Sequence, residues 1–191
     1  GIVGGIGSGK SVVSHILTLL GYEVYDCDIN AKALMNTSAS LQEKLKANFG
    51  DDVINESGEV NRAKLSNIIF NDADALLKVN SIVHPAVVAD LLKKAKHSGK
   101  DIFFFETALP HESGLDLLAD EIWHVTAPIN VRVERVIVRN NMSREQVESR
   151  INSQNFNHIE NKNIRVLNND GESALLPQII NLLNKTNHET I

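Results

Sequence analysis

Near its amino terminus the chain reads Gly4-Gly5-Ile6-Gly7-Ser8-Gly9-Lys10-Ser11, which fits G-x-x-x-x-G-K-[ST], and no other feature restricts its possible folds as much. The pattern works mechanically as the turn between a buried strand and the start of a helix. Glycines permit positive φ and turn several N–H groups towards one anion, while the helix N-terminus adds its partial positive charge. The flanks suit this role. Gly1-Ile2-Val3 is apolar, and Ser11 to Leu20 carries Val12, Val13, Ile16, Leu17, Leu19 and Leu20 at helical spacing before Gly21. A buried strand usually has about 4 to 8 residues, so native residues, an initiator Met among them, are expected ahead of Gly1. In such a loop Lys10 reaches the β- and γ-phosphates of a nucleoside triphosphate, and the Ser11 hydroxyl ligates Mg²⁺. A dinucleotide fingerprint is excluded, because Lys10 stands where its third glycine would be needed. A guanine-reading site is disfavoured too: no Asp is followed three residues later by Gly, and Asn161-Lys162-Asn163-Ile164 lacks the closing Asp.

The rest of the chain alternates strand and helix patterns. Tyr22 to Tyr25 predicts a strand ending at Asp26-Cys27-Asp28. From about Asn30 to Gly99 the pattern is helical, with segments Leu41 to Phe49, Asn61 to Phe70, Asp72 to Val83 and Pro85 to Ala95. Ser40 is the expected N-cap of the first, and Pro85 is expected in the first turn of the last. So long a stretch is no single crossover, and it predicts an inserted helical subdomain over residues 30–99. Ile102-Phe103-Phe104-Phe105 before Glu106 predicts a buried parallel strand with functional groups at its carboxyl end. Glu121 to Thr126 is a further strand, and Arg165 to Leu167 the last. Helices are expected over Ile129 to Arg139, over Ser143 to Asn155 behind a Ser143-x-x-Gln146 capping box, and over Ser173 to Leu183, with Asn184 to Ile191 fraying. The fold class is therefore α/β with a mainly parallel, five-stranded sheet.

Composition narrows the function. The 191 residues include 19 basic and 24 acidic ones, a formal charge of -5, which is the wrong sign for gripping nucleic acid. Apolar residues are 42% and charged ones 23%, as in a globular domain with a real core. Cys27 is the single cysteine, so no internal disulfide or Cys-based metal framework is available, which fits a reducing compartment. There is no uninterrupted apolar run of about 18 residues. A cytoplasmic protein without a membrane or nucleic-acid partner is expected, and a monomer is plausible.

A loop that holds ATP leaves the phosphate acceptor open. Transfer to a hydroxyl needs a carboxylate to orient it and take its proton, and arginines to neutralise the moving phosphoryl group. Asp26 and Asp28 suit the first role, although turn or N-cap chemistry would explain them equally well. Arg132, Arg135 and Arg139 lie at i, i+3 and i+7 of one helix and share a face, with Arg144 and Arg150 in the next.

Together these pieces resemble the dephospho-CoA kinase family nearly end to end. Besides the loop, Tyr25-Asp26-Cys27-Asp28-Ile29-Asn30-Ala31 is similar to that family's D-x-D segment. Gly58 to Leu65, Ile69-Phe70 and Ile82-Val83-His84-Pro85 resemble marks of its helical CoA-binding subdomain, and Arg135, Arg139-Asn140, Ser143, Arg150 and Gln154 its lid. The resemblance implies a P-loop nucleoside-triphosphate hydrolase core over residues 1–29, 100–138 and 160–191, with a CoA-binding insertion at 30–99 and a helical lid at 139–159. It implies ATP with Mg²⁺ as cofactors and dephospho-CoA as the small-molecule substrate. Asp28 would activate the ribose 3′-hydroxyl, with Lys10 and Arg139 as phosphate clamps. Gly5, Gly7, Ser8, Gly9, Lys10, Ser11, Val12, Arg135 and Arg139 would hold the nucleotide. Asp28, Arg62 and His84 would meet the substrate, and Ser11 the metal. Three departures stand out: Val12 replaces a common Thr, Glu106-Thr107-Ala108-Leu109-Pro110 replaces D-x-P-L-L, and Asn140 replaces an Asp. Another small-metabolite or nucleoside kinase of the same core is the alternative, and a nucleotide-dependent switch protein a more distant one.

Overall fold

The computed structural model describes residues 1–154, 159–160 and 163–189. Parts of the expected lid (155–158), of the expected core (161, 162) and the last two residues lie outside these. The described chain divides into two units, one formed by Gly1–Val24 with the segment from Ile102 onward, the other by Tyr25–Asp101.

The first unit is built on a sheet. Strands β1 (Ile2–Val3), β2 (Glu23–Asp26, of which Tyr25 and Asp26 fall in the second unit), β3 (Phe103–Thr107), β4 (Ile122–Thr126) and β5 (Ile164–Asn168) run in the order β2-β3-β1-β4-β5. The ladders of β1 with β3, β1 with β4 and β4 with β5 are parallel, as strands joined by helical crossovers should be. Parallel order puts the carboxyl ends of β1, β3, β4 and β5 on one edge, where ligands of open α/β sheets bind. Helix α1 (Lys10–Leu19) packs Val13 and Leu17 beneath the sheet with Phe104, Trp123, Val125, Leu167 and Ile179. Phe104 sits edge-on to Tyr22 at 5.5 Å and against Trp123 at 5.1 Å. Truncating a ring such as the fully buried Trp123 would cost about 3–5 kcal/mol.

The remaining helices of this unit are α6 (Leu115–Leu118), α7 (Ile129–Asn140), α8 (Arg144–Asn152) and α9 (Leu175–Glu189). The capping box of α8 is present: the Gln146 amide donates to Ser143 Oγ at 3.3 Å, and the Ser143 amide to Gln146 Oε1 at 3.0 Å. Val133, Val136, Val147 and Ile151 zip α7 to α8. Helix α9 continues to Glu189, past the fraying expected from Asn184, because Ile179, Leu182 and Leu183 seat it in the core.

The second unit is helical: α2 (Cys27–Thr37), α3 (Ala39–Phe49), a 3₁₀ turn (Asp51–Val53), α4 (Arg62–Asn71) and α5 (Ala73–Ser98). Two expectations are corrected. Ser38, and not Ser40, caps α3, its Oγ accepting from the Leu41 amide. Pro85 does not open a helix but lies inside the 26-residue α5. Ala75, Val79, Val83, Val87 and Leu91 are all buried, so one continuous apolar stripe holds the helix together across the missing proline N–H. By length and composition α5 could cross a membrane, but this stripe makes it the core helix of its unit. Gln42 Nε2 donates to the carbonyls of Met35, Asn36 and Gly58, tying α2, α3 and the turn before α4.

Candidate active site

The loop between β1 and α1 has the geometry its sequence requires. Gly9 is the N-cap of α1 at φ 96°, and no side chain caps the first turn, so the helix keeps its anion-binding character. Gly7, at φ 77°, touches α7 so closely that a Cβ would lie 2.6 Å from the Arg132 carbonyl oxygen. Lys10 opens α1, its stem alongside Gly4. Ser8 is almost fully buried, and its Oγ has no hydrogen-bond partner among the described residues.

Side chains from distant parts of the first unit hold this loop. Ile6 packs its side chain into the α7–α8 cluster. Its amide donates to Gln154 Oε1 at 2.7 Å, and its carbonyl accepts from Arg132 Nε at 2.9 Å. Arg135 donates to the Gly7 carbonyl at 3.4 Å and to Asn169 Oδ1 at 3.5 Å, while Asn169 Nδ2 donates to the Ser8 carbonyl at 2.8 Å. Asn169 is placed by the turn after β5, where Asp170 accepts the amides of Ser173 and Glu172, bonds that hold its carboxyl below the usual range.

At the end of β3, Glu106 is buried, with Oε1 accepting from Ser11 Oγ at 3.1 Å and Oε2 from Ser14 Oγ at 2.6 Å. A hydroxyl that gives its proton to a carboxylate keeps its lone pairs free, so Ser11 and Glu106 suit a divalent cation. Among the described residues no group of three or more His, Cys, Asp or Glu side chains forms a metal cluster of its own. Burial lowers the pKa of Arg132, and burial with the Arg132 charge lowers that of His124 on β4.

Of the expected nucleotide residues, the loop glycines, Ser8, Lys10, Ser11 and Arg135 are thus gathered, whereas Val12 is half exposed. Arg139 is exposed too, its Nε donating to Asn140 Oδ1 at 2.8 Å. The departure from Asp to Asn at 140 is therefore an arginine contact.

Asp28, Arg62 and His84 belong to the helical unit. The D-x-D segment forms no loop: β2 runs straight into α2, and Asp26 is its N-cap, accepting from the Ile29 amide at 2.8 Å. Asp28, in the first turn, is exposed. The two acids therefore differ, Asp26 occupied as a cap and Asp28 exposed to solvent. A network fixes this turn against α5. Tyr25 OH donates to Asp90 at 2.8 Å, Lys94 pairs with Asp90 at 3.1 Å and donates to Asn30 at 2.8 Å, and Asn30 donates to the Asp26 carbonyl. Burial first, and then Asp90, pushes the Tyr25 phenol up. Burial of Asp90 is outweighed by hydrogen bonds from Tyr25 and Lys94, which lower its pKa. Arg62 is exposed in the first turn of α4 behind its N-cap Asn61, and His84 is half-buried in mid-α5.

Glu106, Arg132, Gln154 and Asn169 were not assigned these contacts by sequence. The only signals were strand-end position for Glu106 and Asn169, a shared helix face for Arg132, and a lid resemblance for Gln154.

Residues 1–174 match the family model described as dephospho-CoA kinase. A dephospho-CoA kinase of Bacteroides fragilis is 38% identical over 185 residues, covering 96% of this chain and 90% of the relative. One from Carboxydothermus hydrogenoformans is 38% identical over 157 residues, 81% of this chain and 76% of the relative. A crystal structure from Thermus thermophilus superposes with a TM-score of 0.78 at 30% identity over 100% of this chain and 96% of its own. Sequence and overall fold agree, and the chain belongs to the dephospho-CoA kinase family.

Proposed function

We propose that this chain transfers the γ-phosphoryl group of ATP directly to the ribose 3′-hydroxyl of dephospho-CoA, giving coenzyme A and ADP, with Asp28, Lys10 and Arg139 as catalytic residues. Family membership supplies the acceptor. The observation that carries the donor side is the uncapped α1 N-terminus behind Gly9, with Ser11 held on buried Glu106.

In this reading Gly5, Gly7, Ser8 and Gly9 shape the cradle, Lys10 bridges the outer phosphates, and Arg135 with Asn169 closes its nucleoside side. Ser11, oriented by Glu106, would hold Mg²⁺, which when bound neutralises charge on the β- and γ-phosphates. Asp28 accepts the 3′-hydroxyl proton, and Arg62 and His84 contribute to the CoA-binding surface. Arg139 joins the phosphates as the 139–159 segment acts as a lid, excluding water from the transfer. With Cys27 as its single cysteine, the chain has no internal disulfide, which fits a cytoplasmic site of action.

The test is release of ADP from Mg-ATP with dephospho-CoA, AMP, cytidine, shikimate or no acceptor, with products identified by mass. Coenzyme A formed from dephospho-CoA alone is the expected result. Turnover with another acceptor, or without any, would overturn the assignment of the acceptor.

A further inference from the structure

We propose that Arg132 is a ligand of the terminal phosphoryl group of the bound triphosphate, aimed at it by Ile6 and Gln154. This rests on reading Gly4 to Ser11 as the ATP loop. A guanidinium carries five N–H donors in a rigid fork. In Arg132 the Nε donor goes to the Ile6 carbonyl at 2.9 Å. Nη2 is buried and has no hydrogen-bond partner among the described residues. It lies so close to Gly5 that any Cβ there would collide with it, and Gln154 Oε1 is 3.1 Å from the same point. A cationic donor sealed from water without an acceptor is costly. Such a group persists beside a loop when the loop's ligand supplies the acceptor.

The nature of that ligand follows from the loop. Gly9, Lys10 and Ser11 form the helix end, whose amides take the inner phosphates. The opposite limb, Gly5 and Ile6, then borders the outer end of the polyphosphate. A phosphoryl group offers three oxygens to a guanidinium fork, a strong, charge-assisted pairing. Neighbouring arginines are differently employed: Arg135 reaches Gly7 and Asn169, and Arg139 rests on Asn140 at the surface. Fixing both polar groups of the Ile6 peptide, one by Arg132 and one by Gln154, holds the guanidinium and the loop limb in one register.

The prediction is selectivity for the outermost phosphate. Affinities for ADP and for a non-hydrolysable ATP analogue, both with Mg²⁺ and without acceptor, are compared in the wild-type chain, Arg132→Gln and Arg132→Lys. Arg132→Gln is expected to weaken the ATP analogue about tenfold or more, as loss of a charge-assisted bond should, and ADP less than about twofold. Arg132→Lys, which keeps the charge without the fork, should lose less on the ATP analogue. Equal weakening of both nucleotides would make Arg132 a prop of the loop and overturn the proposal, as would no change in either. If the thermal midpoint shows Arg132→Gln unfolded, Arg132→Lys carries the same comparison, because it keeps the charge and loses the fork. The same ATP-selective loss is expected, and an equal loss overturns the proposal. No acceptor is present, so failure of the wild-type chain to phosphorylate dephospho-CoA would sink the proposed function and leave this result standing.

Discussion

The phosphate loop and the first turn of α2 both follow the end of a strand, yet they are built in opposite ways. The loop has few side chains of its own to fix it, and its carbonyls and amides are held by Arg132, Arg135, Gln154 and Asn169 from far along the chain. The α2 turn is held locally by its Asp26 cap and by Asn30 and Lys94, which leaves Asp28 exposed. A site that must wrap a highly charged donor is preorganised before the ligand arrives. A single proton acceptor needs only a rigid base and an open face.

The most damaging way to separate the two is Asp28→Asn, which keeps the shape and removes the carboxylate proposed as the base. Turnover should fall about 10²- to 10⁴-fold, the usual contribution of general acid–base catalysis, while ATP affinity stays within about twofold. Single-turnover rates and nucleotide binding measured on the same variant check both halves. Surviving activity would mean that the α2 turn only binds, and the contrast between the regions would collapse.

Glu106→Gln tests the donor side in the complementary way. Its amide can still meet Ser11 and Ser14 but lacks the charge that sets the Ser11 hydroxyl. With Ser11 as the proposed metal ligand, removal of the group that orients it should cost about 10- to 100-fold, and the loss should appear as a higher Mg²⁺ requirement at unchanged dephospho-CoA affinity. A shifted dephospho-CoA affinity with an unmoved Mg²⁺ titration would detach Glu106 from the cation.

These two residues also mark the limit of what the sequence discloses. The loop, α1 and the α8 capping box are legible because each is a local pattern whose mechanics close within a few residues. The contacts of Glu106 to Ser11, Arg132 to Ile6 and Asn169 to Ser8 join positions 95, 126 and 161 apart in sequence. No periodicity links such pairs; the parallel order of β3, β1, β4 and β5 does. Pro85 shows the converse error, a local rule for helix starts overridden by the apolar stripe of α5. Asp26 and Asp28 were inseparable by composition, and the cap bond from Ile29 is what separates them.

A milder variant, Tyr25→Phe, sharpens the picture of the helical unit. Removing the hydroxyl takes one donor from Asp90, a loss of about 1 kcal/mol. Its pH signature is more specific. The Tyr25 phenol is raised in the folded chain, so its contribution to stability is complete below the ordinary tyrosine value near 10 and declines as pH rises above it, where the unfolded chain ionises first. Denaturant unfolding of the wild-type chain between about pH 9 and 11.5 should therefore steepen in loss above 10, and Tyr25→Phe should flatten that decline. An unchanged alkaline slope would show that the Tyr25–Asp90 bond does not hold the α2 turn.

The smallest effect is expected at Ser143→Ala, on the donor side. Ser143 accepts the Gln146 amide, and removal of an N-cap costs about 1 kcal/mol, or about 2–4 °C in a domain of this size. The first turn of α8 should fray, while Val147 and Ile151 keep the rest of the helix on α7. Amide exchange should quicken at the start of α8 and, through Gln154, at Ile6, with α2 and α5 unchanged. Because the Ile6 peptide retains Arg132 as its second anchor, ATP affinity should fall less than about threefold. Exchange that quickened equally in α5 would mean that Ser143 supports the whole chain, and that the loop is not held by its own separate set of distant side chains.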